Sequence, residues 1–245
     1  MLPPRHERTA RLLGAAAVAR LRAARVTVLG LGGVGGFAVE GLARAGVGHL
    51  ILVDPDVFVE SNGNRQLHAL AGNLGTPKAA ALAARVRAID PEIVVEEHVE
   101  AYSPESAERL LTPVPDVLVD AIDTIAAKLH LLARAVAARL PLVTALGAAG
   151  RRDPTRVRVA DLARTYRDPF ARVLRKLLRT KYGLASTEPL GVLAVFSDEP
   201  PDTPDVPLTR RGEPRPPVVE GSVPWVPAVV GMTAAATAVR LLLTS

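Results

Sequence analysis

Short β-branched apolar runs alternate with amphipathic stretches along the first 145 residues. Residues 26–29 (VTVL) form such a run and end in glycines, which predicts a buried strand. Residues 37–45 have helical composition and stop before Gly46 and Gly48. Residues 49–53 (HLILV) predict a second strand closing on Asp54. An alanine-rich helix is predicted over 78–89, entered through Pro77 and ended by Asp90-Pro91. Strands follow at 93–95, at 117–119 before Asp120, and at 141–144, with a helix over 126–139. Strand and helix in alternation imply a Rossmann-like α/β fold, a mostly parallel sheet with helices on both faces.

Beyond Gly150 the alternation fades. Strands are predicted at 156–159 and 191–196, and a basic helix at 168–181. Residues 200–217 hold seven prolines in 18 positions, which predicts a mobile loop. A mostly apolar helix over 223–243 closes the chain. The expected organisation is a single domain over 1–245: a nucleotide-binding core (1–150), a basic segment (151–182), a flexible proline-rich loop (198–222) and a C-terminal helix (223–245).

Composition narrows the chemistry. Hydrophobic residues are 49% and charged residues 22% of the 245, as expected of a chain with a buried core. Aromatics are 3%, too few for a base-stacking platform. With no cysteine, a disulfide, a thiolate nucleophile and a cysteine zinc site are excluded. The five histidines lack ligand spacing. Arginines interrupt residues 1–25, so no signal peptide is read there. The apolar stretch 226–239 is shorter than the roughly 18 residues of a membrane span, which predicts a cytoplasmic chain with no membrane partner.

Charge is uneven. The whole chain carries +5, yet residues 151–181 hold eleven bases and three acids, a net +8. A basic block on a mildly acidic body suggests a polyanion partner, although a solvated helix face would give the same count. Arg172, Arg175, Lys176 and Arg179 lie three and four residues apart, on one helix face, and are the candidate contacts to nucleic-acid phosphates.

Gly30, Gly32, Gly33 and Gly35 fit G-x-G-G-x-G between a strand and a helix, where glycine amides and a helix N-terminus accept phosphate. Asp54 ends the next strand, placed for ribose hydroxyls. These positions indicate a dinucleotide or adenosine site without choosing between them. The polar run 61–66 (SNGNRQ) adds Arg65, and Lys78 opens a helix. A triphosphate carries more charge than the pyrophosphate of a nicotinamide cofactor, so the added cations favour ATP. Asp120 and Asp123 follow a strand end, where a carboxylate is suited to Mg²⁺ on phosphates.

This constellation resembles the ubiquitin-activating-enzyme-like adenylating superfamily. Its pattern of Gly-x-Gly-Gly-x-Gly, Asp, Asn-x-x-Arg-Gln, Lys and Asp is met by Gly30, Gly32, Gly33, Gly35, Asp54, Asn62, Arg65, Gln66, Lys78 and Asp123. The resemblance implies a ribose contact for Asp54, phosphate contacts for Arg65 and Lys78, and Mg²⁺ and transition-state duties for Asp123. Arg8 resembles an arginine that reaches a partner subunit's ATP, with Arg5 and Arg11 as alternatives. Branches that form a thioester or carry a four-cysteine zinc site are incompatible with a cysteine-free chain.

Residues 64–70 (NRQLHAL), 120–123 (DAID), 153–155 (DPT), 168–169 (DP) and 195–197 (VFS) resemble the tRNA threonylcarbamoyladenosine dehydratase branch. Residues 200–217 depart from it. The branch implies ATP-dependent adenylation of the substrate carboxylate, then ring closure with net loss of water, on a nucleoside beside the anticodon. The ring form of the product is not implied. Expected partners are tRNA, a second copy of the chain and a sulfur-relay protein pair. Two other classes stay open: an activator of a small ubiquitin-like sulfur-carrier protein, and a nicotinamide-dependent oxidoreductase.

Overall fold

The computed structural model describes residues 3–184, 188–202 and 221–244. Most of the proline-rich segment 198–222, expected to be a flexible loop, lies outside the described residues. Seven strands form one sheet: β1 (Arg25–Leu29), β2 (His49–Val53), β3 (Val94–His98), β4 (Val117–Asp120), β5 (Leu142–Ala145), β6 (Val157–Asp161) and β7 (Val192–Ser197). Their order is β3-β2-β1-β4-β5-β7-β6. Every pairing is parallel except β6 against β7, which is antiparallel. The order reverses between β1 and β4, which opens a crevice at the carboxyl ends of those strands.

Both faces of the sheet are covered, so the central strands are buried at nearly every position and mostly apolar instead of alternating. Leu50 and Leu52 of β2 pack on one side with α3 (Gly35–Ala45), α4 (Lys78–Ile89) and α8 (Trp225–Thr244). Ile51 and Val53 pack on the other with α5 (Ala107–Leu110), α6 (Ile125–Ala138) and α7 (Pro169–Tyr182). The residues after 150 add β6 and β7, close to the strands predicted at 156–159 and 191–196, to the same sheet. β6 can carry Arg158 because it is an edge strand with one side exposed.

Three helices were not read from the sequence: α1 (Glu7–Leu13), α2 (Ala15–Ala23) and the short α5. The segment leading into α1 is tied to the end of α4 by the buried Asp90, which meets Arg5 at 2.5 Å, His6 at 3.2 Å and Arg22 at 2.6 Å. Arg8 stands exposed on α1.

Helix α8 runs 20 residues and is long and apolar enough to cross a membrane, more than the stretch 226–239 implied, because Leu241–Leu243 continue past Arg240. It is instead a core helix, with Val226, Val230, Ala234 and Ala238 buried. It crosses α3 at close range: a Cβ on Gly231 would lie 2.3 Å from the Val34 carbonyl oxygen. Only glycine admits that approach.

Candidate functional site

A cavity of about 1100 Å³ lies along the carboxyl ends of β1, β2, β4 and β5. The glycine turn forms its floor. Gly30, at φ +84°, bends the chain out of β1, and its missing Cβ leaves room for the Ala121 carbonyl of the turn after β4. Gly35 does not line the cavity; a Cβ there would lie 1.8 Å from the Gly30 carbonyl oxygen. It serves the close approach of α3 to β1, while Gly30, Gly32 and Gly33 face the cavity. No side chain caps the N-terminus of α3; the Gly36 amide turns back on the Gly32 carbonyl at 2.9 Å, and the positive end of the helix dipole stands at the glycine turn.

Asp54 lines the cavity and is buried. Its carboxylate accepts hydrogen bonds from the Leu31 amide at 2.6 Å and the Asp56 amide at 2.9 Å. Burial pushes its pKa up, partly offset by those two amides and by Lys78. Each carboxylate oxygen retains accepting capacity toward a ligand hydroxyl. Lys78 begins α4, and its Nζ lies 2.8 Å from Asp56 and 3.8 Å from Asp54. The sequence suggested a cation free for phosphate. The structure has it shared with two carboxylates, one of which, on Asp56, is largely exposed and easily exchanged.

Arg65 reaches only neutral acceptors among the described residues, the Ser61 carbonyl at 3.1 Å and the Asn64 side chain at 2.9 Å. Its charge is uncompensated at the cavity wall. Gln66 lines the cavity too, and its buried Oε1 has no hydrogen-bond partner among the described residues. Asn62 does not line it; its Oδ1 accepts from the Val59 amide at 3.1 Å and so shapes the loop that carries Arg65. Arg8 is also absent from the lining.

After β4 the two aspartates part company. Asp120 is fully buried and takes Lys128 Nζ at 2.6 Å, the Thr144 hydroxyl at 2.7 Å and the Ile122 amide at 3.0 Å. Lys128 is likewise fully buried, and desolvation lowers its pKa against the pull of Asp120. Asp123 is exposed at the cavity, where the Thr124 hydroxyl donates to it at 3.4 Å. Lys128 was missed in the sequence, although its spacing from Leu131, Leu132 and Ala135 places it on the buried face of α6.

The basic segment divides similarly. Arg151 is buried against Asp168 at 2.9 Å, Arg156 and Arg158 meet Asp198 at 2.6 and 3.2 Å, and Arg152 meets Asp202 at 2.7 Å. These acids, Asp168 apart, lie outside residues 151–181, which is why a count over that segment overstates its free charge. On α7, Arg172, Lys176 and Arg179 are exposed, whereas Arg175 is half-buried and donates to the Thr165 hydroxyl. The exposed basic face thus has three of the four expected members.

Known proteins share this arrangement. The tRNA threonylcarbamoyladenosine dehydratase of Bacillus subtilis is 42% identical over 189 residues, covering 77% of this chain and 72% of that protein. The protein of that name from Escherichia coli is 41% identical over 193 residues, covering 78% and 72%. A crystal structure of the E. coli tRNA N6-threonylcarbamoyladenosine dehydratase in complex with ATP superposes with a TM-score of 0.89 at 36% identity, covering 98% of this chain and 94% of that one. The ThiF family matches residues 5–245, and with these relatives beside that match the chain belongs to the ThiF family.

Proposed function

We infer that this protein is an ATP-dependent tRNA threonylcarbamoyladenosine dehydratase. The observation that carries the reading is the cavity itself: an uncapped helix start, an uncompensated Arg65, a cavity-lining Lys78 and an orphaned Gln66 acceptor meet at one strand crossover. The fold around it matches, over nearly its whole length, an enzyme of that name bound to ATP. A sulfur-carrier activator is the lesser reading, since the relatives matching three quarters of the chain carry the tRNA enzyme's name.

In the reaction, an oxygen of the threonyl carboxylate attacks the α-phosphorus of ATP. The bond to the β-phosphate breaks and pyrophosphate leaves. The modified base then closes on the acyl carbon and AMP departs, so the ring forms with net loss of water. No protein nucleophile is needed, in keeping with a chain free of cysteine. The protein's contribution is to hold two anions together and neutralise them. Arg65 and Lys78 hold the phosphates, Asp54 accepts from the ribose, and the α3 amides take a phosphate oxygen.

Among the described residues no three acidic or histidine side chains gather into a metal cage. A lone exposed carboxylate suits Mg²⁺, which is commonly held by one or two carboxylates plus substrate phosphates. Asp123 would hold it, and the ion would supply charge neutralisation on the phosphates. Arg172, Lys176 and Arg179 would meet the tRNA backbone, and Arg8 on α1 would reach the ATP of a second copy in a homodimer. Mass analysis of nucleosides from tRNA incubated with the protein and ATP tests the reading. The expected product is lighter than threonylcarbamoyladenosine by one water, and unchanged nucleoside would overturn it.

A further inference from the structure

The cavity, at about 1100 Å³, stands just above the roughly 300–1,000 Å³ of single-ligand sites. We call its β5 side, one strand beyond Asp123 and lined by the turn after β5 (Gly147, Ala148) and by Phe170, the second lobe. Three cations line the whole cavity among the described residues: Arg65, Lys78 and Arg151. The first two sit with the glycine turn and Asp54. Arg151 belongs to the second lobe.

Arg151 is nearly fully buried and ties three walls together. It donates from Nε to the Glu199 carbonyl at 3.1 Å, from one Nη to the Gly147 carbonyl, and from the other to Asp168 Oδ2 at 2.9 Å. Asp168 in turn caps α7 by accepting from the Ala171 amide at 2.8 Å. A guanidinium has five N–H donors in a rigid fork, and these contacts use three. The other two have no partner among the described residues, on a side chain that lines the cavity. A strut alone would leave them wasted in a buried place.

We propose that Arg151 binds the carboxylate of the substrate's threonyl group, holding it in the second lobe for attack on the nucleotide in the first. This rests on the dehydratase reading and adds the residue that recognises the reacting anion. The pairing with Asp168 matters to the argument. It fixes the fork and offsets part of its charge, so the carboxylate is held without being quenched as a nucleophile.

The test compares two anticodon stem–loop RNAs, one with threonylcarbamoyladenosine and one with its methyl ester, binding to the full chain without ATP. The wild-type protein is expected to prefer the acid. In Arg151→Met that preference falls by about 10- to 100-fold, the range of a lost charge-assisted hydrogen bond, while ATP affinity stays unchanged. Asp168→Asn keeps an acceptor for the helix cap but removes the offsetting charge, so it is expected to raise the preference for the acid. An Arg151→Met protein that weakens on both RNAs equally, or an Asp168→Asn protein with a lowered preference, overturns the assignment and leaves Arg151 as a strut. A wild-type protein that binds acid, ester and unmodified RNA alike overturns the dehydratase reading along with it.

Discussion

Two helices begin at the wall of the same cavity, and they begin differently. Helix α3 starts on glycines with no side chain at its cap, whereas α7 starts on Asp168, whose carboxylate already takes the Ala171 amide. The same contrast runs through the charges nearby. Arg65 finds only neutral acceptors among the described residues, while Arg156 and Lys128 each close on a carboxylate. Groups left open mark where an anion is to come; closed groups hold the walls. Removing a closed group should cost stability first, and removing an open one should cost activity alone.

The largest effect is expected inside the wall. Lys128→Met leaves the Asp120 carboxylate buried without its cation, a loss of about 3–5 kcal/mol. Denaturant unfolding of the purified variant measures it, and a variant as stable as wild type breaks the contrast. Arg65→Ala should leave the unfolding midpoint where it was. Its kcat/KM should drop by an amount equivalent to about 1.5–3 kcal/mol, the worth of a charge-assisted contact. A destabilised Arg65→Ala protein would move that arginine to the closed class.

A smaller effect belongs to α7. Neutralising Arg172, Lys176 and Arg179 together should weaken tRNA binding at low salt and flatten its salt dependence, with log–log slopes shrinking by about 0.7–0.9 per lost phosphate contact. ATP affinity should not change. Arg175 is left out because it braces Thr165. A triple variant with the wild-type slope would place the RNA elsewhere.

The smallest effect concerns pH. Burial lowers the pKa of His68 below 6.5, although Glu40 beside it pulls the other way and Arg85 adds to the lowering. A folded pKa below the unfolded one favours the neutral ring, so this contribution is whole above pH 6.5. It is lost as pH falls from there through the lowered value. Thermal stability of His68→Gln should be flatter than wild type across that window; Glu40, itself lowered, titrates in a more acidic range.

Local signals carried the reading of the sheet's centre. The run 49–53 closing on Asp54 and the helix over 78–89 reappear as β2 and α4 because glycines, Pro77 and Asp90 punctuate them within a few residues. The cavity brings Gly30, Asp54, Lys78 and Asp123 together for a comparable reason, since each sits beside a strand end or helix start, and Arg65 joins them from the turn after Asn62. What stayed hidden depends on distant partners. Arg158 reads as a free base until Asp198 is found forty residues on, across an antiparallel pairing that no local pattern announces. Asn62 looked like a ligand contact and instead shapes the loop, a distinction that rests on which way one amide turns.

The crossing of α3 and α8 at Gly231 has a bearing on the order of events in synthesis. The helix whose start forms the nucleotide floor leans on a helix more than 180 residues later in the chain. While a ribosome is still making residues 225–244, α3 has an uncovered apolar flank and the glycine turn lacks its backing. A nascent chain in that condition would hold β1, β2 and β4 only loosely and would be open to association through the exposed flank. Competence to bind a nucleotide therefore arrives late and all at once, when α8 docks, and the interval before it is the time at which the chain has most need of a chaperone.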